Sequence, residues 1–162
     1  MRDIEIKFYD HTTEFAAAWP LWHRAYLEIN GENLNHLATT PSGTLSSALE
    51  TRVIASLTSG RLTKLLWHGL TPWALIQYTP LNIETIYGHL LYTDPSQRGN
   101  GYITALLNSF RGLRTILCET SDTKPPTWFK ANAKGMIELN KRADSTHTLW
   151  SIAIDGPSDK VL

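Results

Sequence analysis

The chain has 162 residues, 42% apolar by a broad count and 19% charged, with fifteen basic side chains against fifteen acidic ones. That is a globular composition, long enough for one domain with a sizeable core, and it excludes a disordered chain. The balanced charge gives no general attraction to nucleic acid or to an anionic membrane. The single cysteine, Cys118, excludes a disulfide within the chain and points to a reducing compartment. No apolar run approaches membrane-spanning length, and the charged start MRDIEIKFYD lacks a signal-peptide core, so the expected location is cytoplasmic.

Ile4 to Tyr9 alternates apolar and polar residues and predicts a half-buried strand. Thr12 or Thr13 supplies a cap for a helix whose Phe15, Trp19, Trp22, Tyr26 and Ile29 recur at helical steps. That aromatic stripe reads as core rather than as a cofactor box. Pro20 predicts a kink or a break near Trp19, and Asn30-Gly31 ends the helix. Glu32 to Gly43 reads as a loop. Thr44 to Thr58 reads as a second helix, with Leu45, Leu49, Val53 and Leu57 on one face. Arg61 to Trp67 and Trp73 to Thr79 are strands joined through His68-Gly69-Leu70-Thr71-Pro72 as an antiparallel pair. Ile83 to Tyr92 is the next strand. A helix follows from Tyr102 to a stop at Gly112, then a strand from Arg114 to Thr120. Two strands joined through a helix imply a right-handed parallel crossover. After a loop to Pro126, Thr127 to Lys134 predicts a short helix capped by Gly135. Met136 to Lys141 and Thr148 to Ile154 are the last strands, before a frayed tail from Asp155. There is no repeat, low-complexity tract or linker. Residues 1–162 therefore read as one mixed α/β domain, with a mostly antiparallel central sheet, flanking helices and one parallel crossover.

The strand ending at Tyr92 reaches the helix at Tyr102 through Thr93-Asp94-Pro95-Ser96-Gln97-Arg98-Gly99-Asn100-Gly101. Glycines let a backbone come close to an anion, and a helix start favours negative charge, so a phosphate-bearing ligand suits this turn. Two other readings stand beside that one. Gly99-x-Gly101-x-x-Thr104, with Glu119 lying 20 residues beyond Gly99, is a broken dinucleotide fingerprint, although Asp94 to Arg98 separate its first glycine from the strand. The turn also reads as an ordinary glycine loop. No Gly-Lys-Ser/Thr follows, which excludes a Walker phosphate loop.

With its flanks, LYTDPSQRGNGYITALL resembles motif A of the GNAT superfamily of N-acetyltransferases, written Arg/Gln-x-x-Gly-x-Gly/Ala. Arg98 matches its first position and Gly101 its glycine; Ile103 stands where Gly or Ala is usual. The order of predicted elements is the GNAT order over nearly the whole chain. The resemblance implies acetyl-CoA as cosubstrate and an amine acceptor as partner. It implies that backbone N–H groups of Arg98, Gly99, Asn100, Gly101, Tyr102, Ile103 and Thr104 hold the pyrophosphate. Leu91, Tyr92 and Thr93 would lie beside the thioester and pantetheine, where the two parallel strands splay into a cleft. Trp128 to Met136 resembles the family's later Phe-Tyr-x-x-x-Gly-Phe segment, with Phe129 where tyrosine is frequent.

Acetyl transfer to an amine needs a group that takes the amine's proton. The candidates are His89 and Glu84, which sit five residues apart and so on opposite faces of a regular strand unless a bulge changes the parity. Cys118 lies in an apolar run and reads as a small buried hydrophobe. His11, His23, His36, His68 and His147 are scattered without metal-ligand spacing, so no metal is expected. The one aromatic–basic cluster, Trp22-His23-Arg24, gives no clear nucleic-acid signal. Ile103 and Phe129 favour a second reading, a catalytically degenerate module of the same fold in a homodimer or larger assembly.

Overall fold

The computed structural model describes residues 3–30, 47–120, 133–141 and 148–154. In chain order it holds β1 (Ile4–Phe8), α1 (His11–Asn30), α2 (Ser47–Thr58), β2 (Leu62–His68), β3 (Thr71–Asn82), β4 (Thr85–Thr93), α3 (Tyr102–Asn108), β5 (Thr115–Thr120), β6 (Ala133–Lys141) and β7 (Thr148–Ile154). The strands form a seven-stranded sheet in the order β1-β2-β3-β4-β5-β7-β6. β4 and β5, joined through α3, run parallel, whereas β1 on β2 and β7 on both β5 and β6 are antiparallel. The chain divides into two compact units, residues 1–75 with 92–102, and residues 76–91 with 103–162.

In the first unit, α1 is capped by Asp10 rather than by Thr12 or Thr13. Asp10 Oδ1 accepts the Thr12 N–H at 3.0 Å, and Glu14 reaches back to accept the Asp10 N–H at 2.8 Å. The two carboxylates thereby satisfy backbone donors that the first turn leaves unpaired. The helix then runs 20 residues through Pro20, so of the kink or break predicted near Trp19 the break is absent. Packing supplies the reason: Phe15, Ala18, Leu21, Trp22, Ala25 and Tyr26 are all buried. Each large apolar side chain so buried is worth roughly 1.5–3 kcal/mol, enough together to offset the proline. At 100° per residue this face is centred between Ala18 and Trp22, which puts Trp19 on its rim, half-buried. β1 pairs with β2 from Ile4↔His68 to Phe8↔Lys64. The turn from β2 to β3 is tighter than predicted, needing only Gly69 and Leu70, with Gly69 at φ 60°.

In the second unit, β4 alternates from Thr85 to Leu91. Ile86, Gly88 and Leu90 are buried; Thr85, Tyr87, His89 and Leu91 are half-buried. Gly88 is a close-approach glycine, because a Cβ there would stand 3.0 Å from Leu91 Cδ1 and 3.5 Å from Ile116 Cγ2. Leu106, Leu107, Ile116, Cys118 and Ile152 complete this core, and Tyr78 meets the Phe110 ring edge-on at 4.8 Å. The parallel ladder runs from Thr85↔Thr115 to Gly88↔Cys118 and stops there, while β4 continues to Thr93 and β5 to Thr120. The ladder thus ends before either strand does, as the expected splay requires.

Two predictions near the end of the chain need correction. Ala133 and Lys134, assigned to a short helix, begin β6, and Gly135 is not a helix cap but pairs with Ala153 of β7. Hydrogen bonding to a neighbouring strand overrode a local helical pattern. Thr127 to Asn132, with Phe129, lies outside the described residues. So do the expected Glu32–Gly43 loop, the start of the second helix, the turn at Arg142–Ser145 and the tail from Asp155.

Candidate active site

The glycine loop belongs to the first unit. At its start the Asp94 N–H donates to the Trp73 carbonyl at 2.8 Å. Asp94 Oδ1 accepts both the Ser96 N–H (3.0 Å) and the Ser96 hydroxyl (2.7 Å), folding Pro95–Gln97 into a single 3-10 turn. Asn100 Nδ2 closes the next turn on the Gln97 carbonyl at 2.9 Å. Gly99 and Gly101 then take φ values of 87° and 76°, a left-handed backbone that only glycine adopts at no cost. Among the described residues, chain neighbours aside, no heavy atom lies within 4 Å of where a Cβ would stand on either, and both residues are exposed. The backbone at these two positions is thus bare on its outer side.

Among the described residues, Arg24 and Glu28 of α1 pair with Asp94 and Arg98 of the loop. Arg98 Nε donates to the Thr93 carbonyl at 3.1 Å, its guanidinium lies 5.3 Å over the Tyr92 ring, and its Nη2 donates to the Glu28 carboxylate. Arg24 Nη2 donates to Asp94 Oδ2 at 2.6 Å. Burial pushes the Asp94 carboxyl upward, but the Ser96 hydrogen bonds and Arg24 together more than reverse this and hold it below the usual carboxylate range. Glu28 raises the Arg98 pKa, and burial, then Glu28, raises that of the Tyr92 phenol. Tyr102, the first residue of α3, is buried and stacks on Trp73 at 5.6 Å, and Trp73 stacks on His68 at 4.2 Å.

The second unit carries a polar patch on the half-buried face of β4. His89 Nε2 and the Thr79 hydroxyl of β3 are 2.7 Å apart. The Tyr87 hydroxyl donates to Glu119 Oε1 of β5 at 2.7 Å, and the Tyr87 and His89 rings are 5.0 Å apart. Glu119 stands just past the last β4–β5 ladder pair, where the strands part. Thr79 was not singled out in the sequence, and Glu119 only as a ribose-binding acid. Strand parity already puts Tyr87 and His89 on one face; the missed signal is the parallel register, which fixes the β5 residues that flank them.

The two candidate bases are separated. His89 belongs to the patch. Glu84, expected on the strand, is instead exposed in the turn before β4, where its N–H donates to Asn82 Oδ1 and its carbonyl accepts from Arg114 and Thr115. Leu91 is half-buried, Tyr92 and Thr93 are buried at the end of β4, and Ile103 and Thr104 are half-buried in the first turn of α3. Cys118 is buried, and burial, with a smaller contribution from Glu119, pushes its thiol up to about 12, the signature of an inert thiol. Among the described residues no group of three or more His, Cys, Asp or Glu side chains is placed to hold a metal ion. None of their helices is long and apolar enough to cross a membrane.

A mostly antiparallel sheet, a parallel pair joined through a helix, a glycine loop entering that helix and a ladder that ends before its strands do are the arrangement of the GNAT acetyltransferase fold. Solved structures bear this out. An acetyltransferase from Streptococcus agalactiae matches with a TM-score of 0.62 over 95% of this chain and 100% of its own, at 14% identity. An aminoglycoside 6'-acetyltransferase type Ii matches at 0.59 over 93% and 96%, at 18% identity. A GNAT family acetyltransferase from Elizabethkingia anophelis with acetyl-CoA bound matches at 0.53 over 94% and 97%, at 8% identity. No protein-family model and no curated protein sequence matches the chain. The likeness lies in the fold.

Proposed function

We propose that this protein is an N-acetyltransferase that carries an acetyl group from acetyl-CoA to a primary amine. The observation that supports this most is the bare loop from Arg98 to Gly101, whose two left-handed glycines leave its backbone open to an anion. A diphosphate would suit such a backbone, because among the described residues nothing crowds the open positions at Gly99 and Gly101. α3 has only seven residues, so its dipole adds little and the N–H groups of Arg98 to Thr104 supply most of the attraction. Leu91, Tyr92 and Thr93, past the end of the ladder, would run beside the pantetheine. Acetyl-CoA supplies the activated acyl group.

The chain's own contribution to the chemistry is the β4 patch. His89 would take the amine's proton, with Thr79 fixing the orientation of its ring. Tyr87 and Glu119 would line the approach beside it. Glu84, exposed on a turn, has no such setting. The proposed location is the cytoplasm.

A second reading, a non-catalytic module that retains the cofactor loop in a homodimer or larger assembly, draws support from Ile103, half-buried where the motif usually has glycine or alanine. Calorimetry with acetyl-CoA, followed by a thiol-release assay against a panel of primary amines, separates the readings. Binding with release is the expected result. Binding without release on any amine favours the module, and no binding removes both.

A further inference from the structure

Arg24 and Glu28 sit one turn apart on the same face of α1. Asp94 and Arg98 enclose the 3-10 turn that opens the glycine loop, at the same separation in sequence. Arg24 meets Asp94 at 2.6 Å, and Glu28 meets Arg98. The polarity alternates along the contact, cation to anion and then anion to cation. A slip of one turn would bring Arg24 to Arg98 or Glu28 to Asp94, like charge on like. The two pairs therefore specify one register of the loop on the helix.

Arg98 is also engaged within the protein, by the Thr93 carbonyl, the Tyr92 ring and Glu28. Its charge serves the loop's shape. Arg24 in turn neutralises Asp94, the one carboxylate built into the loop, which would otherwise repel a phosphate. We propose that Arg24 and Glu28 are positioning residues for cofactor binding. They hold Asp94 and Arg98 so that the N–H groups of Gly99 to Gly101 are already arranged to receive an anion, which lowers the ordering cost of binding. This rests on the acetyl-CoA reading above.

Glu28→Gln tests it by sign. If only the long-range field mattered, removing a negative charge near the loop would tighten the binding of an anionic ligand. The strap predicts the reverse. With side chains that are 44–49% exposed in three of the four partners, the effect is modest. We expect Glu28→Gln to weaken CoA binding about 3- to 10-fold and to raise KM for acetyl-CoA by the same factor with kcat unchanged. Amide exchange at Ser96 to Gly101 should quicken in the ligand-free protein, while the exchange of α2 amides stays as in the parent. Reversing the pair, Glu28→Arg with Arg98→Glu, should restore part of the slow exchange through the re-formed ion pair, whereas each single reversal should not. CoA binding to Glu28→Gln as tight as the parent's, or tighter, overturns the proposal, as does unchanged loop exchange. If the parent binds no CoA, the acetyltransferase reading falls, and the exchange comparison alone still decides whether Glu28 orders the loop.

Discussion

The glycine loop and the β4 patch are held by different forces. The loop is exposed and shaped by charge: two ion pairs, a capping carboxylate and a guanidinium over a ring. The patch is half-buried, and two short hydrogen bonds shape it, one between Thr79 and His89 and one from the Tyr87 hydroxyl to Glu119. Exposed charge interactions are screened by salt, with a Debye length of about 8 Å at physiological strength, whereas half-buried hydrogen bonds are not. Disturbing the loop should therefore appear in cofactor binding and depend on salt. Disturbing the patch should appear in the rate and persist at high salt.

The largest expected effect falls on the loop. Gly101→Glu should abolish CoA binding, because it places a carboxylate over the bare backbone and forces a side chain onto a φ of 76°. Strain alone, of about 1–2 kcal/mol, is not the cause intended. Gly60 provides the control. Its φ is 89°, it too has open space at the Cβ, and it follows α2 away from the loop in sequence. Gly60→Glu carries the same kind of strain and should bind CoA as the parent does. Equal loss in both variants would mean that strain, not occupation of an anion site, removes binding.

The patch comes next. His89→Gln should lower the rate at saturating acetyl-CoA by roughly 10²–10⁴-fold, the usual contribution of a general base, with CoA affinity kept. In the parent that rate should climb with pH as the imidazole loses its proton, and the climb should vanish in the variant. Glu84→Gln should leave both the rate and the pH profile alone, since Glu84 lies in an exposed turn roughly 16 Å of strand away from His89. A silent His89→Gln beside a damaging Glu84→Gln would reverse the assignment. Two silent substitutions would leave proton removal to a chain of waters.

These two regions were not equally legible in the sequence. The loop is local. Its turn residues, its glycines and the apolar periods on either side are consecutive, so short-range stereochemistry announced it. Most strands and both long helices followed from apolar periodicity in the same way. The patch is not local: Glu119 is 32 residues from Tyr87, and Thr79 is ten from His89. Only strand pairing brings them together. The strap is more distant still, since Arg24 and Glu28 each lie 70 residues from their partners and read in sequence as polar positions on an aromatic helix. Failures at single elements share this cause. Pro20 is a local signal for a break that packing of α1 overrode, and the β6 segment took its structure from β7. Asp10 outcompeted the threonines as cap because Glu14, one turn on, completes a reciprocal pair with it.

The smallest expected effect concerns Asp94 and acid. Its carboxyl is raised by burial and lowered further by Ser96 and Arg24, so in the folded chain it sits below the usual carboxylate value. As pH falls, the unfolded chain takes up this proton first, near pH 3.9, and between the two values it binds more protons than the folded one. The stabilisation is thus complete above the unfolded value and disappears as pH falls through the folded one. Asp94→Asn keeps an oxygen that can accept the Ser96 N–H but removes the charge that Arg24 neutralises. In urea unfolding the parent should exceed this variant by about 1 kcal/mol at neutral pH, the scale of one charge-assisted hydrogen bond at a partly exposed pair. The gap should stay level down to about pH 5 and close below pH 4. Because Arg24 is half-exposed while Ser96 bonds at short range, 1 M salt should narrow the neutral-pH gap without erasing it. A gap that persists undiminished at pH 2 would mean that the Asp94 charge contributes nothing and that its role in the loop is that of a hydrogen-bond acceptor alone.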